Sequence, residues 1–120
     1  SGMHDKAGSF YERNGQTERA LQSYKKGHAY RNAVELARRE FPDQVIRLEE
    51  MWGDWLVQNK NHEPAIGHFI EANATRKAIE AALNARQWTK AGQLVESFGG
   101  DEDSSRPYYK RIATHYHQSQ

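Results

Sequence analysis

Apolar residues along this chain recur in short stripes rather than long runs. Ala20-Leu21 with Tyr24, Ala33-Val34 with Ala37, Ala65-Ile66 with Phe69 and Ala78-Ile79 with Ala82 place apolar side chains at i, i+1 and i+4. Polar residues fill most of the positions between, which is the pattern of an amphipathic helix showing one face to a core. The alanine-led pair returns 13 residues later, from 20 to 33, from 65 to 78, and again at Ala91-Gly92. A helix of about three turns followed by a tight turn accounts for that step. The alanine marks where two helices approach most closely, so the stripe is read as packing and not as a ligand site.

A longer period contains the shorter one. At an offset of 45, the 30 positions from Gly8 to Ala37 give nine identities without a gap, including Gly8 with Gly53, Asn14 with Asn59, Arg31 with Arg76 and Glu35 with Glu80. Chance alignment at ordinary residue frequencies gives about two. Conservative pairs such as Phe10 with Trp55, Leu21 with Ile66 and Tyr24 with Phe69 fill the spaces between. Periods of this size are the signature of stacked helical repeats.

The pattern predicts helices over about 6–14, 17–26, 29–39, 42–59, 62–72, 74–86 and 88–98, with a last one from about 106. Gly15 and Gly27 are placed as helix stops, Thr17 as an N-cap, and Pro42 in the first turn of the fourth and longest helix. That helix carries Val45, Leu48, Trp52, Trp55 and Leu56 on one face; Trp52, Trp55 and Trp88 are expected to anchor inter-helix packing, each contributing on the order of 2–3 kcal/mol. Residues 99–105, GGDEDSS, are read as a flexible acidic loop, and the last helix is expected to carry Tyr108, Tyr109, Ile112 and Tyr116. The expected fold is all-α: a right-handed helical-repeat solenoid of about eight short antiparallel helices. Its units fall at about 3–47 and 48–98, with the start of a next unit at 106–120 and an amino terminus lying inside a repeat. Ser1-Gly2-Met3 reads as a cleavage remnant ahead of a start methionine.

Composition changes the picture mainly by exclusion. Seventeen Lys and Arg against 16 Asp and Glu leave a net charge of +1, which gives no electrostatic argument for nucleic acid or an anionic membrane. There is no cysteine, hence no disulfide framework and no thiolate zinc site; this fits a reducing compartment. No apolar run approaches the roughly 20 residues needed to span a bilayer.

Candidate chemistry is sparse. His115 and His117 are two apart, which places them on different helix faces, and His62 and His68 lack a recurring carboxylate at ligand spacing, so the histidines are read as solvated surface residues with no metal. Glu49-Glu50 and Asp101-Glu102-Asp103 read as solvated faces rather than an acid/base pair, and no serine sits in a nucleophile motif. Asn73-Ala74-Thr75 matches a glycosylation sequon but falls at a helix junction. Neither an enzyme nor a cofactor is expected. Lys25, Lys26, Arg31, Arg38 and Arg39, interleaved with Tyr24 and Tyr30, form a basic row and a candidate partner surface. An alternative reading makes it the membrane or RNA contact of a coat-like adaptor.

Several runs also carry a resemblance: residues 7–16, 20–27 and 33–38, Leu48-Glu49-Glu50, Trp52-Gly53-Asp54, residues 78–83, and Ala85-Arg86-Gln87-Trp88. Together they closely resemble the solenoids of the intraflagellar transport proteins. The resemblance implies a tetratricopeptide-like solenoid that follows amino-terminal β-propellers, in a peripheral subunit of transport complex B. It implies as partners other intraflagellar transport proteins and, through the train, kinesin and dynein motors. The implied locations are the cytoplasm, the ciliary base and the cilium. The period of 45 departs from the roughly 34 residues of a strict tetratricopeptide unit.

Overall fold

The computed structural model describes residues 2–98 and 102–119, with side chains over 2–98 and 105–114. Among them are eight α-helices: α1 Gly2–Arg13, α2 Thr17–Lys26, α3 Tyr30–Glu40, α4 Val45–Gln58, α5 His62–Glu71, α6 Thr75–Asn84, α7 Trp88–Phe98 and α8 Glu102–Ser119. A 3-10 turn, Pro42–Gln44, precedes α4. Each helix packs on its successor, giving an elongated body of 55 × 26 × 16 Å. Its radius of gyration is 17.3 Å, against about 14 Å for a compact domain of this length. The expected helical-repeat solenoid is the observed architecture.

The 13-residue step has a backbone cause. Five connections contain one residue in the left-handed region: Gly15 at φ 76°, His28 at 57°, Lys60 at 61°, Asn73 at 57° and Arg86 at 60°. In each, the next N–H reaches back five residues: Gln16 to the Tyr11 carbonyl at 2.8 Å, Ala29 to Tyr24 at 2.8 Å, Asn61 to Leu56 at 2.8 Å, Ala74 to Phe69 at 2.8 Å and Gln87 to Ala82 at 2.9 Å. The left-handed residue donates three back, as His28 does to Lys25 at 3.2 Å. These are Schellman closures, which satisfy carbonyls that a helix end would otherwise leave unpaired.

The residue completing the closure also begins the next helix. The carbonyls of Gln16, Ala29, Ala74 and Gln87 accept from the N–H of Ala20, Ala33, Ala78 and Ala91 at 2.9–3.0 Å. The recurring alanine is therefore the first residue to bond back to the turn. There the incoming helix is still close to the outgoing one, and Ala20, Ala33, Ala65, Ala78 and Ala91 are all 0% exposed. Leu21, Val34, Ala37, Ile66, Ile79 and Ala82 are buried beside them. After α3 the rhythm changes: Phe41, at φ −138°, is not left-handed, and Pro42 opens the 3-10 turn. Proline disfavours the helical region for the residue before it, which shuts out the short closure there.

Two buried clusters result. Ala20, Leu21, Tyr24, Ala33, Val34, Leu36, Ala37 and Leu48 form one, and the other runs from Leu56 through Phe69 and Ile79 to Val95. Trp52 packs against both, so α4 is the seam between them. Within each unit an aromatic ring lies over a glycine. A Cβ on Gly8 would stand 2.4 Å from Cε1 of Tyr24, and one on Gly53 would stand 2.5 Å from Cε1 of Phe69. The α1–α2 and α4–α5 pairs thus repeat the same contact, 45 residues apart.

Several local expectations are corrected. Gln16, not Thr17, is the N-cap of α2, and no side-chain bond caps it; the backbone closure takes over that role. α2 does end at Gly27, its C-cap as expected, but with φ −90°; the left-handed residue of that turn is the following His28. α1 begins at Gly2, and α4, at 14 residues, is shorter than the 18-residue α8. α8 starts at Glu102, so Pro107 lies inside it and residues 102–105 are helical. Carboxylates suit a helix amino-terminal turn, and proline just beyond that turn removes only one bond. Gly99, Gly100 and Asp101 of the expected loop, and the side chains of His115, Tyr116 and His117, lie outside the described residues. Trp52, Trp55 and Trp88, expected to anchor packing, are half-buried and pack against the second cluster.

Gly8→Ala and Gly53→Ala are expected to destabilise the chain by about 1–3 kcal/mol through overpacking, measured from urea midpoints. Gly67→Ala in α5, where nothing lies within 4 Å of an added Cβ, should be neutral or gain up to about 1 kcal/mol of helix propensity. Arg86→Gly should stabilise, because glycine removes a left-handed strain of about 1 kcal/mol. A loss there would show that the Arg86 side chain outweighs its backbone.

Candidate functional site

The candidate basic row lies on α2 and α3. Lys25 is half-buried, whereas Lys26, Arg31, Arg38 and Arg39 are exposed. Arg39 is already engaged: its guanidinium donates to Oε2 of Glu12 on α1. Glu12 Oε1 accepts from the Tyr24 hydroxyl at 2.8 Å, and that hydroxyl lies 3.4 Å from Ser9 Oγ. Burial alone would raise the Glu12 carboxyl, but the bonds from Arg39 and Tyr24 outweigh it and hold it below its ordinary value. Burial, with the charges of Glu12 and Asp5, pushes the Tyr24 phenol up. Arg39 therefore ties α3 to α1, and the row is not one uniform surface.

Comparable ties recur further along. Lys77 on α6 donates to Glu50 Oε2 at 2.7 Å and to both oxygens of Asp54 at 3.0 and 3.2 Å, all on α4. Its ammonium also lies 5.9 Å from the centre of the Phe69 ring. The hydrogen bond from Lys77 is the main cause that holds the Glu50 carboxyl below its ordinary value, and the two acids raise Lys77 in return. Arg111 on α8 donates to both oxygens of Glu80 on α6, at 3.1 and 3.0 Å. Between these ties opens a groove of about 360 Å³, lined by Val57, Phe69, Ala81 and Tyr108 with Asp54, Arg76, Lys77 and Glu80 around them. Ala81 stands at the register position of Leu36, one unit on, and its smaller side chain leaves room. An apolar floor with charges of both signs at its rim suits an amphipathic segment of another protein.

The structure overturns the reading of Glu49-Glu50 as solvated. Glu49 is only 3% exposed, and its Oε2 lies 3.4 Å from His68 Nδ1. The His68 ring stacks on Trp52, with centroids 3.7 Å apart and planes at 23°. His28 likewise lies against Trp55, at 5.4 Å and 11°. His68 is thus half-buried against Trp52, whereas His28 stacks on Trp55 and is exposed, as expected of a surface histidine. The signal for Glu49 was present: Val45, Glu49, Trp52 and Leu56 follow the i, i+4, i+7, i+11 spacing of a buried stripe. Asn73 of the sequon is the left-handed residue of the α5–α6 turn. Among the described residues, no group of three or more metal-ligating side chains converges, and no helix is long and apolar enough to cross a membrane.

Comparison with known proteins gives a consistent result. A family model described as the ELP1 TPR domain matches residues 2–98. Intraflagellar transport protein 172 of Chlamydomonas reinhardtii is 51% identical over 116 residues, covering 97% of this chain and 6% of that protein. The intraflagellar transport protein 172 homolog of Mus musculus is 49% identical over 114 residues, 95% of this chain and 6% of that protein. Intraflagellar transport protein osm-1 of Caenorhabditis elegans is 42% identical over 116 residues, 97% of this chain and 7% of that protein. The chain thus spans less than a tenth of the length of these relatives.

The Glu12 tie sets a pH dependence. Its folded carboxyl is depressed, so its contribution is complete above the ordinary value of 4.5 and is lost as pH falls through the lower folded value. The urea midpoint should drop between about pH 7 and about pH 3, and Glu12→Gln should drop less. Equal drops would show that the tie adds nothing to the fold.

Proposed function

The chain belongs to the ELP1 TPR domain family and is homologous to a segment of the intraflagellar transport 172 proteins, and from that premise we propose that it is a non-enzymatic protein-interaction scaffold serving intraflagellar transport. The observation that carries this reading is identity of 42–51% to intraflagellar transport proteins over nearly the whole chain. The solenoid supports it, because stacked helices present extended surfaces without needing a catalytic centre. In the fuller reading, the segment belongs to a peripheral subunit of complex B, works at the ciliary base and in the cilium, and meets other train subunits. Kinesin and dynein act on it only through the train. We assign repeat units to about 3–47 and 48–98, with a further unit beginning in α8.

We place the principal contact in the groove between α4, α6 and α8. The exposed part of the basic row, Lys26, Arg31 and Arg38, serves as a second contact, since Arg39 is committed to Glu12. Purified complex B subunits retained on the immobilised chain would test this. Ala81→Leu and Tyr108→Ala should lower retention at least about fivefold, a loss of about 1 kcal/mol, while Arg31→Glu with Arg38→Glu should lower it less. The reverse order would move the principal contact to the basic row. Failure of the unaltered chain to retain any subunit would defeat the reading.

A further inference from the structure

The two units share a frame, yet side chains that close the first are replaced together in the second. Gly8 lies under the Tyr24 ring as Gly53 lies under Phe69, with an added Cβ standing 2.4 and 2.5 Å from Cε1. The α2–α3 and α5–α6 turns have the same left-handed φ of 57°. In the first unit the Tyr24 hydroxyl and the Arg39 guanidinium both donate to Glu12, a polar tie that joins α1, α2 and α3. Leu36, 1% exposed, fills the cluster that contains Tyr24. Forty-five residues on, Val57, Phe69, Asn84 and Ala81 stand at the positions of Glu12, Tyr24, Arg39 and Leu36. The acceptor, the hydroxyl and the cation of the tie are gone, and the filling side chain is cut back to a methyl.

What remains is the groove of about 360 Å³ whose lining includes Val57, Phe69, Ala81 and Tyr108. Val57 and Tyr108 are half-buried, and Arg76 and Lys77 at its rim are exposed, so solvent reaches it. The charges at the rim are not equally free. Lys77 is held by Glu50 and Asp54, and Glu80 by Arg111. Arg76 lies 5.8 Å from the centre of the Phe98 ring and makes no ion pair among the described residues. The rim therefore keeps one guanidinium for the carboxylate of a ligand.

We propose that the groove receives a leucine side chain from an amphipathic helix of a partner protein, with a carboxylate one turn along that helix bonded to Arg76. Leu36 gives the size of the occupant, since it fills the counterpart position in the same frame. An aliphatic chain entering the groove recovers the burial and dispersion that Leu36 supplies in the first unit. A helix suits the pair of contacts, because a leucine and an acid one turn apart share a face. A second copy of this chain does not offer the leucine. Leu21, Leu36, Leu48, Leu56 and Leu83 are buried, and Leu94, the remaining leucine of the sequence, packs half-buried against the second cluster. The proposal rests on the groove being the principal contact and names the side chain that fills it.

The probe is an alanine-based helical peptide with blocked ends, carrying one leucine and a glutamate four residues later, titrated into this chain and followed by nuclear magnetic resonance. The Val57 methyl and Tyr108 ring resonances should shift saturably. Alanine in place of the peptide leucine should weaken binding at least about tenfold. Glutamine in place of its glutamate should weaken binding about threefold, and Arg76→Gln in the chain should erase that difference. Two variants close the groove by different means: Ala81→Leu restores the filling of the first unit, and Val57→Glu with Phe69→Tyr and Asn84→Arg restores its tie. Each variant that keeps a folded amide spectrum should lose the shifts. Equal binding of the leucine and alanine peptides, shifts that persist in a folded closed variant, or no shift at Val57 in the unaltered chain overturns the proposal. Retention of complex B subunits that is still lost in Ala81→Leu would then keep the groove as the contact and strike only the leucine. Dimers of the unaltered chain that disperse in Ala81→Leu would make a second copy the occupant and overturn the proposal as well.

Discussion

A chain can reverse from one helix into the next within three residues only if one of them turns left-handed. That constraint sets the distance between successive helices, and the rest of this structure follows from the distance. Four of the five left-handed positions among the described residues are not glycine, so each carries strain of about 1–2 kcal/mol. Two backbone hydrogen bonds at each closure and the burial of an alanine methyl just beyond it offset that strain. A larger side chain at Ala33 or Ala78 would force the helices apart, and the short turn would no longer reach. The alanines and the turns are two sides of one geometric requirement.

The close approach has consequences beyond the turns. It lets the Tyr24 and Phe69 rings lie over Gly8 and Gly53, and it brings helices two apart within reach of side chains. Glu12 with Arg39, Glu50 and Asp54 with Lys77, and Glu80 with Arg111 all bridge a helix to the next but one. Exposed ion pairs contribute little individually to stability. Their effect here is on register, since each fixes how far one helix has rotated relative to another. Where the third connection lengthens at Phe41-Pro42, α4 becomes the seam, and Trp52, His68 and buried Glu49 occupy it. The two units are therefore similar in frame and different in lining.

Much of the fold was legible because its determinants are local. The 13-residue beat, the 45-residue period and the buried alanines are periodicities, and a helix converts periodicity into a face without reference to the rest of the chain. The helix ends were less legible. Thr17 and Gly27 carry the usual capping chemistry, yet a backbone closure does not need it, and His28, Lys60 and Arg86 have no side-chain signature for a left-handed turn. Pro107 suggested a helix start, although the strand of acids before it could join the helix at the loss of a single hydrogen bond.

What the sequence determined by itself is the repeating helix, the identity of its buried face and the family to which the runs belong. The tertiary structure alone decided which charges meet. Arg39 was read as part of an outward basic row and is paired with Glu12, 27 residues away. Glu49 was read as solvated and lies against His68, 19 residues away. Such pairings depend on the rotation and tilt between stacked helices. Those are set by packing across the whole unit, and no spacing along the chain encodes them.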